Sequence, residues 1–305
     1  MDNTTHTTSS ITDSRSSDEQ KEGISSNSEP SYITPWVASD YAPYVTMSGA
    51  HKLAASGIAP LVAEARGYES VAESQAKHFA KVKKIGDGRT KAGTQFLNSF
   101  RDDGEILTLP WFRADELKNS LDDFVKPFAS SLQMRPEHPR SDPKTGRPVK
   151  YEFLVGQATV LDFHPAALRS WVASAPRVML AEGLLKGDSA LTAMLREYVP
   201  TEELSTSSDH NQVKAMRRLA TMMEQIPPSE RVAIISLAGV GNWRNNPEWN
   251  AIDLRDKQVL IAFDGDVTTN WNVWNMAGQL FTFLGAVKEG YSAVGSNRPV
   301  RWHRS

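Results

Sequence analysis

The 305-residue chain contains no cysteine. That absence removes disulfide frameworks, thiolate zinc sites and cysteine nucleophiles, and it fits a reducing cytoplasm. No apolar run approaches the ~18 residues needed to span a bilayer, so the sequence predicts no membrane partner. The first thirty residues lack the basic start and apolar centre of a secretory signal. Net charge is also scarce: 34 Lys and Arg stand against 36 Asp and Glu, a formal −2. A bulk polycation is therefore excluded, and any contact with nucleic acid must come from a local basic patch. Nor is there a Gly-x-x-x-x-Gly-Lys-Ser/Thr loop, so the chain carries no ATPase motor of that kind.

What is present is arranged in four zones. Residues 1–30 are Ser, Thr, Asp, Asn and Glu with almost nothing apolar, a composition that cannot offset its ordering entropy, so a disordered tail is expected. Residues 31–104 read as a helical N-terminal module. Within it Met47 to Val71 carries two helical patches, with Gly57 stopping the first and Pro60 in the first turn of the second. Residues 79–104 show little periodicity and read as loop with some helix.

Residues 105–170 read as a smaller α+β lobe with a basic character. Ile106 to Phe112 predicts a strand, and Leu117 to Phe128 a short helix. Between 126 and 150 six Lys or Arg face two acids. Arg135, Arg140, Lys144, Arg147 and Lys150, followed by Tyr151, are interrupted by prolines and a glycine, which predicts a rigid loop. Spaced guanidinium groups suit phosphate contact, and a solvated surface loop is the alternative. Thr159 to Phe163 predicts another strand, and His164 after it reads as structural.

Residues 171–305 alternate short apolar runs with helical patterns. Val178 to Ala181 runs into Glu182, Val232 to Leu237 into Gly239-Val240-Gly241, and Val259 to Phe263 into Asp264-Gly265-Asp266. Helices are expected over Val213 to Ile226 and Val273 to Val287, with a further strand from Tyr291 to Val294. This alternation implies a parallel sheet covered by helices, whose carboxyl edge is where such sheets bind ligands. If the strands are neighbours, Glu182, Asp264 and Asp266 converge, and three acids without matching cations suit a hard divalent cation. Trp243, Trp249, Trp271 and Trp274 read as packing residues more readily than as base-stacking ones.

Taken in order, several pieces resemble the Toprim fold of primases and topoisomerases, and within it the phage-type DUF3854 proteins described as DNA primase or primase/helicase N-terminal regions. The pieces are His51-Lys52-Leu53-Ala54-Ala55-Ser56-Gly57-Ile58 with Ala65-Arg66-Gly67-Tyr68, Gln133-Met134-Arg135-Pro136 through Arg140 and Lys150-Tyr151-Glu152, Leu161-Asp162-Phe163-His164-Pro165, Glu182-Gly183 with Lys186 and Asp188, Leu237-Ala238-Gly239-Val240 with Asn242-Trp243-Arg244, and Ala262-Phe263-Asp264-Gly265-Asp266. The resemblance spans about 45–295.

The resemblance implies a Toprim-like parallel sheet over 171–305, with Glu182 as metal ligand or general base and Asp264 and Asp266 holding Mg2+ or Mn2+. It implies that Arg135, Arg140, Lys144, Arg147, Lys150, Tyr151 and Lys186 contact nucleotide or nucleic acid. The partners would be single-stranded DNA, nucleoside triphosphates and a separately encoded helicase, in the host bacterial cytoplasm if the chain is phage-encoded. Two departures stand out: Lys186 sits where primases more often have an Asp, which favours one metal over two, and the sequence ends soon after Val294. The expected activity is primase-like nucleotidyl transfer. A Toprim-type nuclease and a non-catalytic DNA-binding partner of a helicase are the alternatives.

Overall fold

Two glycines shape the first described segment. Helix α1 (Met47–Ala55) ends before Gly57 at φ +69°, and α2 (Pro60–Arg66) starts on its proline and ends on Gly67 at φ +84°, a left-handed closure that a side chain disfavours. The computed structural model describes residues 35–75 apart from 42, then 104–153, 157, 159–207, 209–244, 246–264 and 269–288. The expected tail at 1–30, the loop at 79–103, the strand at Tyr291–Val294 and Asp266 lie outside the described residues. The described residues belong to a single unit that begins at Thr34.

A four-stranded antiparallel sheet follows in the order β1-β2-β3-β4, built from β1 (Glu69–Ala72), β2 (Glu105–Trp111), β3 (Ser131–Pro136) and β4 (Glu152–Phe153). The register sets Leu107 opposite Arg135, Leu109 opposite Gln133, and Gln133 opposite Phe153. Because strand side chains alternate faces, these residues and Trp111 share one face. Trp111 and Phe153 meet there with ring centroids 5.4 Å apart.

Two expectations for this lobe are corrected. The basic segment is not one loop, since Ser131–Pro136 is a central strand and its arms continue as a ribbon closed by the Ser141–Pro148 bridge. Leu117 to Phe128 is not an α-helix but forms only a short 3-10 turn at Leu121–Asp123, just after another at Ala114–Glu116. Each turn starts on a capping contact, with Asp123 accepting from the Ser120 backbone N–H at 3.0 Å and Glu116 from that of Arg113 at 2.8 Å, but neither is continued by a helical ladder.

The second sheet is parallel, as expected, and among the described residues three-stranded, in the order β6-β5-β7, with β5 (Arg177–Glu182) central, β6 (Val232–Leu237) and β7 (Gln258–Ala262). The chain is thus mixed α/β, one sheet antiparallel and one parallel. After the short helix α3 (Arg169–Ser174), helices α4 (Leu184–Leu195), α5 (Gln212–Met223) and α6 (Trp271–Lys288) accompany the parallel strands. Thr159 to Phe163 runs extended but joins this sheet through one isolated antiparallel bridge, Asp162 to Ser236. Helix α4 lies so close on β6 that a Cβ on Gly187 would meet Ser236 Oγ at 2.2 Å.

One apolar core joins the helical module to both sheets, with Leu53, Leu61, Trp111, Trp171, Leu180, Leu219 and Trp249 all buried. Inside it lies a polar knot. Arg66, at the end of α2, gives Nε and Nη2 to Asp188 on α4 and Nη1 to Asp162, and the Tyr68 hydroxyl donates to Asp188 at 2.8 Å. Burial alone would lower the Arg66 pKa, but the two carboxylates outweigh it and keep the guanidinium charged. Buried charges persist only when paired and hydrogen-bonded in this way.

Candidate functional site

Strand β5 delivers Glu182 to the carboxyl edge of the parallel sheet, and Gly183 at φ +92° then turns the chain into α4. Its backbone N–H is held by the Leu237 carbonyl at 2.8 Å, so the turn is tied to the end of β6. Four residues after Glu182, one helical turn later, Lys186 reaches back. Its Nζ lies 3.8 Å from Glu182 Oε2 and 2.5 Å from Asp264 Oδ1. Asp264 follows β7, and its backbone N–H donates to Glu182 Oε2 at 3.3 Å. Two of the three predicted acids therefore meet around one ammonium.

These groups open into a cleft of about 590 Å³ whose far wall comes from the antiparallel sheet. Glu182, Lys186 and Asp264 face Gln133, Tyr151 and Phe153 across it, and Gly239 and Asn242 of the loop after β6 close one side. Gly239 adopts φ +101°, which explains its place in a turn that brings backbone to the cleft wall. The volume lies within the range of small-ligand pockets.

The basic residues divide into three kinds. Tyr151 lines the cleft and carries Arg135 over its ring at 5.9 Å. Arg140 is bound to Glu152 through Nε and Nη2, at 2.8 and 2.7 Å, so it braces the ribbon rather than standing free. Lys144, Arg147 and Lys150 are exposed, the first two in the turn organised by Asp142, whose carboxylate accepts the Lys144 and Thr145 backbone N–H groups at 2.8 Å.

The site's acids fit a cation in one respect: both carboxylates already converge on a positive charge. Among the described residues, however, no group of three His, Asp or Glu side chains gathers. Asp188 is no candidate for a second metal position, because both its oxygens are taken by Arg66 and Tyr68 inside the core. His164 is buried, accepts the Ala166 N–H through Nδ1 at 3.2 Å and lies 3.2 Å from the Val62 carbonyl, a structural placement as expected. Burial and the neighbouring Arg66 charge push its pKa down to about 4.

The tryptophans split. Trp243 and Trp249 pack on Phe283, while Trp271 and Trp274 stack on each other, 5.1 Å apart, and remain exposed. No helix among the described residues is long and apolar enough to cross a membrane. Lys52 was assigned no role from the sequence, where it is one polar residue in an amphipathic helix; only the α1–β2 packing places it near Arg135. Comparison with known proteins finds no matching family model, no matching curated protein and no matching solved structure.

Proposed function

We propose that this chain is a primase-like nucleotidyltransferase acting on a single-stranded DNA template with Mg2+ or Mn2+. The observation that supports it most is the meeting of Glu182 and Asp264 at the ends of two parallel strands, in a cleft whose other wall carries Tyr151, with Arg135 over its ring. In this reading the two acids, with Asp266 two residues on in the sequence, hold the divalent ion. Such an ion supplies charge neutralisation for a triphosphate and for the departing pyrophosphate. Glu182 and Asp264 position it, Lys186 balances their charge when it is absent, and the cationic wall orients phosphates.

Primer synthesis from nucleoside triphosphates on single-stranded DNA tests the reading. Wild-type protein makes oligonucleotides with Mg2+ or Mn2+, and Asp264→Ala makes none. A wild-type chain that degrades labelled DNA in Mn2+ without nucleotides would instead be a nuclease built on the same acids. A chain that binds DNA, makes nothing and cuts nothing would act as a binding partner of a separate helicase.

A further inference from the structure

Beside Tyr151 of the cleft wall stands Arg135, and Lys52 lies close enough to Arg135 and Lys150 to feel both charges. Helix α1 packs on β2 so closely that a Cβ on Gly49 would meet Leu107 Cδ1 at 3.2 Å, and Leu107 stands directly opposite Arg135 on β3. Lys52 lies one turn beyond Gly49 on the same helix and is half-buried. Burial and the nearby charges of Arg135 and Lys150 hold the Lys52 ammonium below its ordinary pKa. Arg135 rests over the Tyr151 ring, and its buried Nε has no hydrogen-bond partner among the described residues.

Several other cations are paired with a carboxylate: Arg140 with Glu152, Arg113 with Glu248, Arg231 with Glu224 and Lys186 with Asp264. For Lys52, Arg135 and Lys150 no carboxylate lies within ion-pair distance among the described residues. Like charges held together cost free energy, and a buried guanidinium N–H without an acceptor adds to that cost. A ligand carrying several negative charges removes both. A polyphosphate does so with oxygens matched to a guanidinium and two ammonium groups.

We propose that Lys52, Arg135 and Lys150 form a polyphosphate-binding subsite that receives the phosphate chain of a nucleoside triphosphate lying in the cleft. Lys52 thereby becomes a recognition residue contributed by the helical module, and Tyr151 is the surface on which Arg135 is aimed. The location rests on the cleft described above, but the subsite requires no metal at Glu182 and Asp264.

Calorimetric titration of the full chain with tripolyphosphate and with ATP, in EDTA, tests this. Wild-type protein binds both, and Lys52→Met and Lys150→Met each weaken binding about tenfold, the loss of one charge-assisted hydrogen bond. Lys52→Arg retains most of the affinity. The melting temperature of Lys52→Met without ligand stays level or rises, because repulsion is relieved; a merely structural lysine would lower it. Equal tripolyphosphate affinity in wild type and Lys52→Met, or no binding by wild type at millimolar ligand, overturns the proposal. So does oligo(dT) binding that depends on these residues while tripolyphosphate fails to compete, since the phosphates would then be those of a nucleic-acid backbone. If the subsite binds as described and no primer is made, the proposed reaction fails and the subsite stands.

Discussion

Arg66 and Asp188 form a two-pronged ion pair, Nε to Oδ2 at 2.5 Å and Nη2 to Oδ1 at 2.7 Å, with both side chains 1% exposed. The pair ties α2 of the helical module to α4, the helix that begins beside Glu182. It therefore fixes where the candidate acid stands relative to the rest of the protein. Asp162 completes the knot from the stretch that bridges to β6.

Removing one member of a buried pair leaves the other charged and unsolvated, which typically costs ~3–5 kcal/mol. Arg66→Met is expected to lower unfolding stability by about that much, read as a lower urea midpoint at unchanged slope. Asp188→Asn keeps the shape but only one of the two acceptor oxygens, and it sets an amide donor against the Arg66 or Tyr68 donors, so it should also destabilise. Mn2+ binding per folded molecule should be unchanged in Asp188→Asn. A loss of metal affinity per folded molecule there would make Asp188 a metal ligand.

Asp162 and His164 make opposite contributions to pH dependence. Burial, opposed by Arg66 and reinforced by Asp188, raises the Asp162 pKa to about 7, while burial and Arg66 lower that of His164 to about 4. A carboxyl whose folded pKa is raised adds stability at low pH, and this is lost as pH rises from about 4 to 7. A histidine whose folded pKa is lowered adds stability at neutral pH, and this is lost as pH falls from about 6.5 to 4. Between pH 4 and 6.5 the two slopes offset. Asp162→Asn should then make stability fall faster on acidification than in wild type, and His164→Gln should make it fall more slowly or rise. Each difference is at most about 1.4 kcal/mol per pH unit. Parallel pH profiles for wild type and both variants would contradict the assignment.

The parallel sheet was legible because its strands are continuous apolar runs ending in acid or glycine, the pattern of strands buried on both faces. Glu182 and Asp264 follow directly from that reading, since strand ends in such a sheet share one edge. The basic lobe was less legible. Its strands β3 and β4 carry Arg135, Pro136 and Glu152, so local chemistry suggested a loop while pairing with β2 made a sheet. Asp162 and Asp188 sit in sequence as ordinary polar residues 96 and 122 positions after Arg66, and no local signal announces that the three meet. Lys52 escaped for the same reason, because its neighbourhood is made by contacts between elements.

Gly187 offers a test of how tightly α4 is seated. A Cβ there would meet Ser236 Oγ at 2.2 Å and Ile234 Cγ2 at 3.5 Å, so the hydroxyl is the obstacle. Gly187→Ala is expected to destabilise by ~1–3 kcal/mol, the usual cost of overpacking. Adding Ser236→Ala removes the obstructing atom and should recover much of that loss. The double-mutant cycle then shows a coupling of about 0.5–3 kcal/mol between the two positions. Additive losses would mean that the helix is displaced by something other than this contact.

Lys186 decides how the acids behave without a metal. Its ammonium stands 2.5 Å from Asp264 and 3.8 Å from Glu182, which is where a bound cation would also draw the two carboxylates together. A divalent ion and the lysine therefore compete for the same negative charge. Lys186→Met removes the competitor and leaves two carboxylates with their repulsion unrelieved. Mn2+ should then raise the melting temperature of Lys186→Met more than that of wild type at equal concentration, since stabilisation grows as RT ln(1 + [L]/Kd) and Kd falls. A tenfold tighter site adds about 1.4 kcal/mol at saturating ion. In Asp264→Asn the metal-dependent shift should shrink whether or not Lys186 is present, because one of the two converging charges is gone. If Lys186→Met responds to Mn2+ no more than wild type does, the carboxylates are a lysine-binding pair and the metal reading of this cleft is wrong.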